Sequence, residues 1–110
     1  MITVLVVGDR DRAQELDAVA ARNPSVELLH ATDVEDALDR MARNRRIDAV
    51  LLADEPETAR GIAAMLLEED PAGPPLFVAA AAGGIAGVRP LPAGSPEELL
   101  EAITRELRAK

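Results

Sequence analysis

The chain has no cysteine, no tryptophan and no tyrosine, and Phe77 is its single aromatic residue. Without thiols, disulfides and thiolate metal sites are excluded, and a reducing cytoplasm is a compatible setting. Without aromatic faces there is no platform on which bases or sugars would stack. Basic residues are also scarce: 12 Lys and Arg stand against 20 Asp and Glu, for a formal net charge of −8. A nucleic-acid surface needs a basic field, so direct DNA or RNA binding is disfavoured. No apolar run approaches the roughly 18 residues that a membrane span needs. The opening MITVLVVGD is too short an apolar stretch, with no basic lead, for a signal peptide. A cytoplasmic setting without membrane contact is the expectation.

What is present is aliphatic. Hydrophobic residues make up 48% of the 110, so Leu, Val, Ile and Ala must fill the core of one domain spanning 1–110. The first apolar burst, Ile2 to Val7, is β-branched and apolar on both parities, as in a strand covered on both faces. From Asp11 to Ala21, Ala13, Leu16, Val19 and Ala20 recur at helical spacing, and Asn23-Pro24 stops that helix. Val26 to His30 reads as a second strand. Thr32 to Glu35 reads as a capping box, followed by a helix whose apolar face is Val34, Ala37, Leu38 and Met41.

Ile47 to Ala53 is the most uniformly apolar strand and therefore central. A third helix follows Pro56, with Ala59, Ile62, Ala63 and Leu66 inward, and DPAGPP (70–75) ends it. Leu76 to Ala80 gives a fourth strand. Ser95-Pro96-Glu97-Glu98 is a strong helix start, and Leu99, Leu100, Ile103 and Leu107 form that helix's buried stripe. Strands and helices alternating in this way predict an open parallel α/β sheet with helices on both faces. Between the fourth strand and a short fifth at Gly87-Val88-Arg89 lies only AAGGIA (81–86). A helical crossover takes a dozen or more residues, so the helix here is expected to be reduced or missing.

The segment DAVLLADEP (48–56) poses the functional question, because a carboxylate stands where a buried strand surfaces. The order of elements, the acid Asp9 after Val7, DAVLL, the Arg89-Pro90 pair and the closing SPEELLEAI together resemble the response-regulator receiver domain (CheY-like) over nearly the whole chain. The resemblance implies a flavodoxin-like sheet of order 2-1-3-4-5 with its site at the carboxyl ends of the strands. In active receivers, two acids after the first strand hold Mg²⁺ and an aspartate ending the third strand accepts phosphate. A Ser or Thr after the fourth strand and a Lys before a Pro in the fifth contact the phosphoryl group. A phosphoryl group moving to a carboxylate needs that divalent cation and a fixed cation beside it.

Carried over position by position, the pattern is degenerate. The acid pair falls on Gly8-Asp9, the phosphoacceptor on Ala53, the hydroxyl on Ala79 or Ala80, and the Lys on Arg89, whose planar fork replaces a point charge. No hydroxyl occurs between Thr58 and Ser95. The vestigial site is thus Gly8, Asp9, Ala53, Ala80 and Arg89. Asp54 comes one residue after the acceptor position, and side chains alternate across a strand, so only a bulge would re-aim it. The expectation is a phosphorylation-independent pseudo-receiver, not an enzyme and without a cofactor, acting through a protein partner or self-association. Arg89, Leu91 and the outer face of 95–110 are the surface to watch.

Two alternatives stay open: a phosphorelay receiver that uses Asp54, with Mg²⁺ held weakly by Asp9 and Asp54, or a small-ligand or nucleotide sensor at the carboxyl edge. The sensor would use Gly8, Asp9 and the Gly83-Gly84 turn. Asp9 and Asp11 serve more simply as charges at the start of the first helix. His30, with no second His or Cys, reads as a packed or rim residue. Gly83, Gly84 and Gly87 precede no helix and lack a phosphate-loop order, so they read as a turn. Arg40, Arg43, Arg45 and Arg46 complement a helix end, and a docking patch for an acidic partner is the sharper alternative.

Overall fold

Among the described residues nine elements follow one another: β1 (Ile2–Val7), α1 (Arg10–Ala20), β2 (Val26–Ala31), α2 (Val34–Arg43), β3 (Ala49–Leu52), α3 (Pro56–Glu69), β4 (Leu76–Ala79), β5 (Val88–Leu91) and α4 (Pro96–Arg108). The computed structural model describes residues 2–8, 10–23, 25–43, 46–53, 56–79, 87–91 and 95–108. All strand pairs are parallel, and the sheet order is β2-β1-β3-β4-β5, the flavodoxin-like arrangement. Among the described residues no helix stands between β4 and β5, as the short AAGGIA connection requires, and none is long and apolar enough to cross a membrane.

The uniform apolarity of β1 and β3 follows from their central place, because each face of the sheet buries one parity. Leu5, Val7, Val50 and Leu52 pack with Ala37 of α2 and with Ala59, Ile62, Ala63 and Leu66 of α3. Val4, Val6, Ala49 and Leu51 pack on the other face with Leu16 of α1 and with Leu99, Leu100 and Ile103 of α4. Phe77 lies fully buried in that second layer. Each fully buried Leu, Ile or Phe contributes about 1.5–3 kcal/mol. The predicted inward residues of α3 and α4 are thus the core, with Leu107 only partly buried against it.

Two corrections concern helix and strand starts. The capping box predicted at Thr32–Glu35 sits one residue later. The Asp36 N–H donates to Asp33 Oδ1 at 2.8 Å, and the Thr32 N–H donates back to Asp36 Oδ2 at 3.2 Å. Asp33 is the cap because the chain leaves β2 at Ala31 and needs two residues to turn. The third strand begins at Ala49 and not at Ile47, because Asp48 closes the amino edge. Its N–H donates to Thr3 O, and its Oδ2 accepts from the Thr3 N–H, both at 2.8 Å. The cap of α4 stands as predicted, with the Glu98 N–H donating to Ser95 Oγ at 3.3 Å.

Leu91, expected on the outer surface, is buried in the α1/α4 layer. β5 runs longer than Gly87-Val88-Arg89 suggested, and its last residue turns inward. Gly87 leads into it with φ of 79°, where a side chain would be strained and a Cβ would stand 2.7 Å from Leu67 Cδ1.

Candidate functional site at the carboxyl edge of the sheet

Parallel register places one row of residues across all five strands: Ala31, Val7, Leu52, Val78 and Pro90. Gly8 and Ala53, two of the positions that the resemblance assigns to the site, come one residue beyond it. The Gly8 N–H donates to Ala31 O at 3.1 Å and the Ala53 N–H to Val7 O at 2.9 Å, which fixes the backbone at both positions. Gly8 has φ of 123°, a conformation that favours glycine, so a carboxylate-bearing residue there would be strained. Ala53 packs its methyl group against the α1/α4 layer. At the position matching the acceptor, the chain therefore brings apolar surface and a used N–H.

Arg89 lies on the row of His30, Val6, Leu51 and Phe77, two residues short of the row that ends in Leu91. At about 3.3 Å per residue, that is roughly 7 Å back from the edge. Its guanidinium pairs with Glu106 of α4 at 3.6 Å, with both side chains about half exposed. Since α4 starts beyond the carboxyl end of β5 and runs back, Glu106 draws this cation away from the edge. Arg89 and Ala53 share the α1/α4 face of the sheet, yet the ion pair does not bring the guanidinium to Ala53.

His30 is a rim residue, as its isolation in the sequence suggested, but it has a partner that sequence reasoning missed. Its Nε2–H donates to Gly8 O at 3.2 Å, tying β2 to the turn after β1. The signal was parity: His30 stands opposite Val6, one strand over, within reach of the next turn. Beside it, a groove of about 220 Å³ runs between α1 and β2. Asp11 falls in the first turn of α1, where its charge suits the helix dipole. Two of the arginines at the end of α2 are held one turn back, Arg40 by Asp36 at 3.5 Å and Arg43 by Asp39 at 3.1 Å.

Asp9, Asp54, Ala80, Gly83, Gly84 and Arg45 lie outside the described residues. Among those described, no group of three or more His, Cys, Asp or Glu side chains is placed to hold a metal ion. Of the positions described at this edge, Gly8 and Ala53 offer a cation no side-chain oxygen.

No protein-family model matches the sequence, and no curated protein does. Solved structures match it in fold. A LuxR family DNA-binding response regulator from Silicibacter pomeroyi superposes with a TM-score of 0.67 at 21% identity, covering 100% of this chain and 93% of that one. A response regulator receiver domain protein from Clostridium thermocellum gives 0.65 at 16% identity, with 100% of both chains covered. A de novo designed Rossmann 2x3 fold protein gives 0.62 at 17% identity, over 98% of this chain and 90% of that one. The chain thus has the fold of receiver domains. A designed protein shares that fold, so architecture alone carries no chemistry.

Proposed function

We propose that this chain is a receiver-like signal-transduction module of the two-component response-regulator type that works by protein–protein contact without phosphorylation. Ala53 carries the reading. It occupies the position matching the phosphoacceptor, with its N–H bonded to Val7 O and its methyl group packed inward. Arg89, in the position of the phosphate-contacting cation, pairs instead with Glu106, which supports the same conclusion. Such a domain has no phosphotransfer to catalyse. Its surface is its output, toward a protein partner or a second copy.

The test is intact-mass analysis of the folded chain after incubation with Mg²⁺ and acetyl phosphate, beside Asp54→Ala. No mass change is expected. A gain of one phosphoryl group would overturn the proposal, and its loss in the variant would make Asp54 the acceptor.

A further inference from the structure

We infer that the groove between α2 and α3, at the amino edge of the sheet, docks a basic amphipathic segment of a partner protein. Its cavity is about 700 Å³, with an apolar wall that includes Leu38, Met41, Ile47 and Pro74 and two carboxylates, Glu69 and Asp70. Among the described residues that line it, none is basic. The wall is adaptable, because α2 fully buries only Ala37 and leaves Val34, Leu38 and Met41 half covered. Methionine reshapes to fit what lies on it.

Charge identifies the occupant. α2 and α4 both end in arginines, which complement the partial negative charge of a helix C-terminus. α3 does the reverse: its last turn has no basic residue, and Glu68, Glu69 and Asp70 follow one another at its end. Each such acid is opposed by the partial negative charge of that helix end. A lysine or arginine set against Glu69 and Asp70 relieves that strain, while leucine or phenylalanine side chains beside it cover Leu38, Met41 and Ile47. Arg40 and Arg43 are paired within α2 to Asp36 and Asp39. A second copy fits less well, since two chains of net charge −8 repel.

The inference rests on the reading of the chain as an interaction module, and its test is separate from the phosphorylation test. The isotope-labelled full chain is titrated with a short amphipathic Leu/Lys peptide and with its Leu/Glu counterpart, and amide shifts are followed. Shifts are expected at 38–42, 47, 69, 70, 72 and 73 with the Leu/Lys peptide alone. Glu69→Lys with Asp70→Lys should weaken binding about tenfold or more, whereas Glu15→Lys with Glu101→Lys, an equal charge change elsewhere, should change it less than about twofold. Absence of binding, shifts centred elsewhere or equal weakening by both pairs would overturn the inference. So would a concentration-dependent dimer that shifts the groove amides without peptide.

Discussion

Gly61 and Gly87 put the same residue to opposite uses. Gly61 sits exposed in the middle of α3, and a Cβ there would meet nothing within 4 Å. Gly61→Ala should stabilise the protein by about 0.5–1 kcal/mol, through helix propensity and a less flexible unfolded chain. Gly87 has φ of 79°, so Gly87→Ala should destabilise it by about 1–2 kcal/mol. Urea unfolding followed by circular dichroism measures both, and the two midpoints should move in opposite directions. At this scale the sequence identifies residue types better than directions. That Ala53 falls where the receiver resemblance places the acceptor was legible in DAVLLA. That Arg89 turns toward Glu106 was not, because the pairing depends on how α4 lies across β5. Leu91 was misplaced for a related reason: in a four-residue edge strand with buried ends and exposed Arg89 and Pro90, alternation gives no guide.

The elements announce themselves by their caps, and the cap of α2 shows where that signal is ambiguous. Thr32 to Asp36 contains two overlapping boxes, Thr-x-x-Glu and Asp-x-x-Asp. Local chemistry permits both, and the length of β2 decides between them. Asp33→Ala should therefore cost about 1 kcal/mol and Thr32→Ala only a few tenths. Thermal melts that ranked the two the other way would return the cap to Thr32. The reciprocal bonds between Asp48 and Thr3 join β1 to β3 at the amino edge. Asp48→Ala leaves the part-buried Thr3 N–H without that acceptor and should cost about 1–3 kcal/mol by urea titration. In the sequence Asp48 read only as the start of DAVLL, because its partner stands 45 residues away along the chain.

In the molecule as a whole, apolarity on both parities marks strands covered on both faces, whereas the sheet order was legible only through the receiver resemblance. The runs in Ile2–Val7 and Ile47–Ala53 marked two such strands. At the carboxyl edge the sequence spoke mainly through the side chains that Gly8 and Ala53 lack. The His30 bond to the Gly8 carbonyl there emerges only once β1 and β2 pair. Phe77 fills the α1/α4 layer with no exposed surface. Phe77→Ala should destabilise the fold by about 3–5 kcal/mol, read as a lowered denaturation midpoint with unchanged cooperativity. That same side chain has a spectroscopic consequence. With neither tryptophan nor tyrosine, the protein is nearly dark in near-ultraviolet absorption and emission, so its concentration must be read from the peptide bond. Any tryptophan carried by a docking partner would then report the complex against an empty background.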